Sequence, residues 1–189
     1  MDALRNAMLV LGCIMLPAMA VPTSWKAFLS ASENFAVRYP ASWNRVQNPG
    51  TPPNAEVLQI INFPNSQREP GVVIKEGGAL IGVTPAPVNA APSGVRSLED
   101  WVLWYERYEG ILDDRAIPVA KPATGGCQQL RRIMTRQDMG SNRFCIHTDY
   151  FCPTHRGLYV VTLTNWEGDP HQDALQNTAQ EITLSLRTR

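Results

Sequence analysis

The sequence predicts a single-domain α+β protein in which antiparallel strands outnumber helices. Short apolar runs, several of them alternating in polarity, are closed by Pro, Gly or Asn, which is typical of strands joined by turns. Ser97 and Asp100 have the spacing of a helix capping box. A second helix start is predicted at Asp169 and Pro170, because aspartate can cap a helix and proline suits its first position.

The predicted strands fall into an opening strand, a strand with a following hairpin, and a meander. The opening strand ends at Pro40, which has no amide hydrogen to donate to a strand ladder. The predicted meander turns at residues 138–141 and 153–157. The predicted strands are residues 35–39, 56–63, 72–75, 79–83, 127–137, 142–152 and 158–165, with loops at 44–55 and 113–125.

Apolar residues at helical spacing follow the capping box and predict an amphipathic helix. Its stripe consists of Leu98, Trp101, Val102, Tyr105, Tyr108 and Leu112. Trp104 and Ile111 lie at the edge of the stripe, where we favour the margin of the core over a partner surface. The closing helix is predicted to bury Ala174, Leu175, Thr178, Ile182 and Leu186. The predicted core consists of Phe35, Val37, Tyr39, Trp43, Trp101, Tyr105, Tyr159, Val161 and Ile182.

The N-terminal segment has the layout of a cleaved signal peptide. Arg5 precedes an uncharged apolar run at residues 8–20, which ends in small residues and is too short to span a bilayer comfortably. We therefore predict a signal peptide at 1–20, a lead-in at 21–32 and one domain at 33–189, exported to the periplasm or the extracellular space. The alternatives are a buried N-terminal helix, or lipidation at Cys13, whose preceding apolar run is short.

The composition excludes some functions and leaves many open. Seventeen basic and seventeen acidic residues give a formal net charge of zero, so nothing favours binding to nucleic acid, where affinity depends on neutralising phosphates. No common metalloprotease, hydrolase or nucleotide-binding motif occurs. No stable membrane span is expected after signal cleavage, and the sequence indicates no cofactor.

Two separated segments resemble the PsbP-like family. Residues 33–43, ENFAVRYPASW, are similar to its opening F-x-V-x-Y-P-x-x-W pattern, and residues 157–163 with the closing helix are similar to its last strand and helix. The resemblance implies an antiparallel sheet with helices on both faces, an α/β/α sandwich. The family includes photosystem II extrinsic subunits, a Ran-binding nuclear import protein and exported bacterial proteins, most of which act in binding or assembly. The metal and docking residues of the photosystem proteins have no counterparts that we can place on this sequence.

The segment FCIHTDYFCPTH, residues 144–155, concentrates groups that could perform chemistry. Cys145, His147 and Asp149 alternate and would share one strand face, but their Cα atoms would stand about 6.6 Å apart, which disfavours a nucleophile and its base. Cys145, His147, Cys152 and His155 could chemically bind zinc. Cys152 has the opposite parity, however, and an oxidising compartment favours a disulfide.

The meander predicts a disulfide. If Gln137 and Asn142 are partners across its first turn, Cys127 and Cys152 lie ten residues beyond them and face each other. Their Cα atoms would then be about 4.5–5.5 Å apart, within the range that a disulfide requires. Cys145 is left as the odd thiol. This register places Ile133 on the face of the disulfide, and Arg132 on the face of Cys145.

Together these observations predict an exported, non-enzymatic binding or assembly protein whose partner is a protein or another envelope component. The alternatives are a metal-binding or thiol-redox protein, and a protein like a photosystem II extrinsic subunit. An exposed apolar patch around Trp104 and Ile111 would favour docking. A deep pocket lined by His147, Asp149 and Arg132 would favour chemistry.

We expect the mature protein to begin at or near Val21, because small residues at 18–20 follow the apolar run. N-terminal sequencing of protein isolated from its native host measures this directly. Recovery of most chains with Met1 intact would contradict it.

Overall fold

The computed structural model describes residues 24–30, 34–46, 58–64, 74, 77–86, 97, 99–100, 103, 110–140 and 142–189. It confirms an α+β protein made mostly of antiparallel sheet. The elements are β1 (Trp25–Ser30), β2 (Phe35–Pro40), β3 (Asn44–Val46), β4 (Leu58–Ile61), β5 (Ala79–Ala86), β6 (Ile111–Ile117), β7 (Leu130–Asp138), β8 (Phe144–Thr154), β9 (Gly157–Trp166), α1 (Gln172–Leu184) and β10 (Arg187–Thr188).

The strands form two sheets. The larger has seven strands in the order β3-β4-β5-β9-β8-β7-β6, and the smaller has three in the order β1-β2-β10. Every pair of neighbours is antiparallel. β1 lies in the segment predicted as a lead-in, and β3 and β6 lie in segments predicted as loops. No helix in the described part of the chain is long and apolar enough to cross a bilayer.

One face of the large sheet, here called the inner face, packs against α1 and the small sheet. β2 directs Phe35, Val37 and Tyr39 into this core, where the ring centroids of Phe35 and Tyr159 lie 5.5 Å apart. The predicted core residues that the structure describes are all buried; they are Phe35, Val37, Tyr39, Trp43, Tyr159, Val161 and Ile182. Trp101 and Tyr105 lie outside the described residues.

The opposite, outer face of the large sheet carries a smaller apolar cluster. Its buried members are Ile133, Phe151, Leu158 and Val160, and the half-buried Ile111 packs against them. Ile111 begins β6, so the predicted amphipathic helix does not extend to Leu112. The capping box itself is present: the Asp100 amide donates to Ser97 Oγ at 3.1 Å, and the Ser97 amide donates to Asp100 Oδ2 at 3.0 Å.

Helices on both faces of the sheet are not supported, because the described residues supply one helix with defined ends, on the inner face. Glu99, Asp100 and Leu103 are helical, but most of the predicted stripe lies outside the described ranges. Of the residues predicted for the buried face of α1, Leu175, Ile182 and Leu186 are buried, whereas Ala174 and Thr178 are half-buried. Ala179, which was not predicted, is also buried. Asp169 does not cap it; its Oδ1 accepts a hydrogen bond from the His171 amide, one residue before the helix.

The Cys127–Cys152 disulfide is present, with a Cα–Cα distance of 5.1 Å. The register that predicted it was wrong, because Gln137 pairs with Cys145 rather than with Asn142. Cys127 precedes β7 and reaches Cys152 from a loop. The observed register differs from the predicted one by three residues. Because three is an odd number, the side chains of β7 that were predicted for one face of the sheet lie on the other. Arg132 therefore lies on the inner face, and Ile133 on the outer face.

Arg132 ties β6, β7 and α1 together. It donates to Asp113 Oδ2 at 2.6 Å and to Gln176 Oε1 at 3.0 Å. Burial alone would raise the pKa of Asp113, but the hydrogen bonds and charges of Arg132 and Arg115 outweigh it and lower that pKa. Tyr150 donates to the Gln176 carbonyl oxygen at 2.8 Å, and burial raises its pKa to about 12 against the opposing charge of Arg132.

The last strand passes close to the loop before β7. The Thr188 amide donates to the Gly125 carbonyl oxygen at 2.7 Å. Gly125 has a φ of +72°, and a Cβ added there would overlap the Thr188 carbonyl oxygen. Glycine is required at this position for two reasons, its left-handed backbone and the close approach of another strand.

We expect Gly125→Ala to destabilise the fold more than Gly168→Ala does. Both glycines have positive φ, but a Cβ at Gly168 would meet no atom within 4 Å. Gly168→Ala should cost about 1–2 kcal/mol of unfolding free energy for the left-handed backbone. Gly125→Ala should cost roughly 1–3 kcal/mol more, because of the overlap. Urea unfolding of both variants measures the difference; equal losses would show that β10 moves away without cost.

We also expect the unfolding free energy to fall as the pH rises from 10 to about 12. The ordinary tyrosine pKa is 10.0, whereas that of Tyr150 in the fold is about 12. Its contribution is therefore fully present below pH 10, and between the two values it is lost at roughly 1.4 kcal/mol per pH unit.

Unfolding of Tyr150→Phe over this pH range should show a shallower decline, since phenylalanine carries no ionisable group. Tyr39→Phe serves as the control for removing a tyrosine hydroxyl elsewhere in the core. An equally steep decline in Tyr150→Phe and the wild type would contradict the assignment.

Candidate functional site

His147 and Asp149 of the segment 144–155 lie on the outer face, beside polar side chains of the two neighbouring strands. His147 of β8 is paired with Thr135 of β7 and Thr164 of β9. Asp149, two residues along, is paired with Thr162 of β9. Side chains two residues apart on a strand point the same way, so these residues form adjacent rows on the outer face.

Hydrogen bonds hold both ionisable side chains of these rows. His147 Nε2 lies 2.6 Å from Gln137 Oε1, and its Nδ1 lies 3.2 Å from Thr164 Oγ1. Thr162 Oγ1 donates to Asp149 Oδ1 at 2.5 Å. Asp149 is only 3% exposed, so its carboxylate belongs to the floor of the face rather than to its rim.

A groove of about 380 Å³ runs over these rows, and we call it the outer groove. It borders β7 where that strand extends beyond its last pairing with β6, between Ile111 and Thr135. Its lining combines buried hydroxyl and carboxylate groups with exposed polar ones. The lining residues are Thr135, Arg136, Gln137, Asp138, His147, Asp149 and Thr162.

The structure brings together two of the three residues, His147, Asp149 and Arg132, that would line a pocket favouring chemistry. His147 and Asp149 line the outer groove, but Arg132 lies on the opposite face of the sheet and bonds to Gln176. Cys145 is 1% exposed, and burial raises the pKa of its thiol, with a smaller opposing effect from Arg143. A buried thiol with a raised pKa is a poor nucleophile, because the thiolate is the reactive form.

The four candidate metal ligands are divided between two faces and a disulfide. Cys145 and His147 lie on the outer face, whereas Cys152 is bonded to Cys127 on the inner face. His155 Nδ1 lies 3.3 Å from Thr188 Oγ1. Over the described ranges, no three His, Cys, Asp or Glu side chains are grouped to hold a metal ion.

Ile111, one of the two residues of the possible partner surface, does not lie on a helix. Ile111 is half-buried in β6, where it packs against the outer apolar cluster. Trp104 lies outside the described residues. The structure therefore places one member of the pair in a strand and describes no patch containing both.

A different surface is found at the end of the β7–β8 hairpin, and we call it the hairpin end: Arg136, Met139, Arg143, Phe144, Trp166 and Glu167. The guanidinium carbon of Arg136 lies 3.5 Å from the Phe144 ring centroid, and that of Arg143 lies 3.9 Å from the Trp166 ring centroid. Arg136 also donates to Glu167 at 2.7 Å. Met139, in the turn, is 53% exposed.

The hairpin end could not be predicted from the sequence, for a physical reason. Arg143 and Trp166 are far apart in sequence, and they meet because Cys145 pairs with Trp166 across β8 and β9. Arg136 and Phe144 likewise meet only in the observed β7–β8 register. What the sequence does show is arginines and aromatic residues close to a turn. Which arginine contacts which ring can be stated only when the strand register is known.

No model of a known protein family matches the sequence. Comparison with curated proteins also gave no match. The similarities found are to solved structures. Their sequence identities to this chain are low, so the similarity concerns the backbone fold and not individual side chains.

One such structure is cyanobacterial PsbP (CyanoP) from Synechocystis sp. PCC 6803, with 13% identity, a TM-score of 0.49, and 90% of this chain and 95% of that chain covered. The Saccharomyces cerevisiae Ran-binding protein Mog1p gives 9% identity and a TM-score of 0.48, with 87% and 95% covered. LpqN, involved in cell envelope biogenesis of Mycobacterium tuberculosis, gives 14% identity and a TM-score of 0.44, with 91% and 88% covered. The structures to which this chain is similar thus include a PsbP protein and a Ran-binding protein, two kinds of protein that the sequence resemblance named.

Proposed function

We propose that this protein is an exported, non-enzymatic binding or assembly protein whose partner is a protein or another component of the cell envelope. The observation that supports this proposal is the hairpin end. There, two arginines stack on aromatic rings beside an exposed methionine. We propose that this surface contacts the partner.

The composition of the hairpin end suits a protein interface. Arginine, tryptophan, phenylalanine and methionine are enriched at interfaces, and arginine and tryptophan often carry most of the binding energy. Stacking on Trp166 and Phe144 orders Arg143 and Arg136 before any partner arrives. Side chains that are ordered in advance lose less conformational entropy on binding, which favours affinity.

The outer groove adjoins the hairpin end and supplies polar groups. Gln137 and Asp138 line the groove and belong to the last residues of β7, which lead directly into the hairpin turn. Exposed amide and carboxylate groups at such a margin can form the polar rim that surrounds the apolar centre of an interface. By the strand registers, the Arg136–Phe144 stack lies on the inner side of the hairpin, and the Arg143–Trp166 stack lies on its outer side with the groove. The groove and the hairpin end together therefore have the composition of one recognition surface that wraps round the end of the hairpin.

The groups that could perform chemistry serve structural roles. His147 contacts Gln137 and Thr164 through its two ring nitrogens, and Asp149 accepts a hydrogen bond from Thr162. Catalysis by Cys145 would require its thiolate, which burial disfavours. These contacts favour a binding function over acyl transfer or hydrolysis at this face.

We expect the double variant Met139→Gln/Arg143→Gln to lose its partner without losing its fold. Each substitution removes one exposed group of the hairpin end. Removal of interface residues that carry binding energy costs more than about 1 kcal/mol, which corresponds to at least a fivefold loss of affinity. Affinity purification of the tagged full chain from its native envelope, with quantitative mass spectrometry, measures the partner recovered.

The matched control is Leu112→Gln/Arg115→Gln on β6. Leu112 is 53% exposed, as is Met139, and Arg115 forms only an exposed ion pair with Asp113. Surface changes of this kind should alter the unfolding free energy by less than about 0.5 kcal/mol. A partner recovered equally with both variants would show that the hairpin end is not the binding surface.

A further inference from the structure

The small sheet has an outward face that the core does not use. Because Phe35, Val37 and Tyr39 point into the core, the alternate residues of β2 and their partners point outward. Ala27 pairs with Arg38, and Leu29 pairs with Ala36, which also pairs with Arg187. This outward face, here called the small-sheet face, consists of Trp25, Ala27, Leu29, Ala36, Arg38 and Arg187.

The small sheet carries only positive charge. β1, β2 and β10 contain Lys26, Arg38 and Arg187, and neither aspartate nor glutamate occurs in these strands. Arg38 and Arg187 belong to the small-sheet face, whereas Lys26 pairs with Tyr39 and lies on the core side of the sheet. Arg45 also lies on the core side, its guanidinium carbon 4.6 Å from the ring centroid of Phe28, which pairs with Val37. The chain as a whole has no net charge, so this concentration is a property of the sheet rather than of the composition.

Apolar side chains accompany these cations. Leu29 is 51% exposed. Trp25, at the edge of the face, is half-buried and also packs against the inner core, and the Arg38 guanidinium carbon lies 6.0 Å from its ring centroid. Tryptophan and leucine beside arginines is a combination typical of surfaces that lie at a membrane interface. There the apolar groups enter the boundary of the acyl chains while the cations contact headgroups.

We propose that the small-sheet face docks the protein on an anionic membrane surface. Charge favours this occupant, because the face carries Arg38 and Arg187 while its strands contain no acidic side chain, and such a face complements acidic lipid headgroups. Position along the chain also favours it, since the apolar run at residues 8–20 ends only four residues before β1 begins at Trp25. β1 is therefore the first described strand to follow the segment that the membrane export machinery would handle.

The small-sheet face is distinct from the hairpin end. Thr188 of β10 contacts His155, which lies at the turn between β8 and β9. The hairpin end lies at the other end of β8, whose 11 residues span about 35 Å at 3.3 Å per residue. Membrane docking is thus independent of partner binding at the hairpin end, and each can fail without the other.

Flotation of the processed protein with lipid vesicles tests the proposal. One set of vesicles contains phosphatidylcholine alone, and the other contains phosphatidylcholine with an equal share of phosphatidylglycerol. We expect binding to the anionic vesicles only, and weakening in high salt, which screens charges beyond about 3 Å at 1 M. Leu29→Gln/Arg38→Gln should lower the partition onto anionic vesicles by about fivefold or more, since one arginine near such a surface contributes about that factor.

Leu112→Gln/Arg115→Gln is again the matched control, because Leu112 and Leu29 are similarly exposed, at 53% and 51%. It should bind anionic vesicles as the wild type does. Equal binding to neutral and anionic vesicles, or equal binding by both variants, would overturn the proposal. A wild type that binds no vesicles would also overturn it. If, in that case, Leu29→Gln/Arg38→Gln loses an acidic protein in envelope purification, the small-sheet face binds that protein and not a membrane.

Discussion

The register of β8 between β7 and β9 is the constraint on which the rest of the structure depends. Both faces of β8 are largely buried, so the register decides which of two different buried environments each of its side chains enters. Tyr150 and Cys152 belong to the inner core, whereas Phe151 belongs to the outer cluster. A slip by one residue would place tyrosine and the disulfide on the polar outer face, and Asp149 beneath α1. The paired ladders on both sides of β8 exclude such a slip.

The small sheet depends on a second constraint, the join between the C-terminal strand and the loop before β7. The disulfide fixes that loop to β8, and Cys127 Sγ lies 3.4 Å from the Thr183 carbonyl oxygen of α1. The Gly125 carbonyl oxygen then accepts a hydrogen bond from the Thr188 amide, and β10 completes the small sheet beside β2. A crosslink in one sheet therefore positions a strand of the other. This explains how so short a β10 is held in place.

Segments with alternating apolar residues could be predicted from the sequence, and segments stabilised by charge could not. β2, β8, β9 and α1 show the expected spacing, and the disulfide pair was predicted correctly. Most of β6 was read as part of a loop over residues 113–125, which is rich in Pro and Gly. In the fold, the charges at the centre of β6 bond to Arg131 and Arg132 of β7. His147 and Asp149 were correctly placed together. Arg132 was placed with them wrongly, because its face depends on a turn length that sequence alone did not determine.

The separation of the two proposed surfaces has an energetic consequence. An exposed stacked arginine contributes about 0.5–1 kcal/mol, and an arginine near an anionic membrane contributes about 1 kcal/mol, so neither surface alone implies tight binding. A protein held on a membrane, however, meets a partner in that membrane at a raised effective concentration, and two weak contacts then act as one stronger attachment. That gain requires a rigid connection of suitable length. The fold provides one: β7, β8 and β9 form a hydrogen-bonded ladder with the hairpin end at one end, and at the other end Gly125 and His155 contact Thr188 of the small sheet.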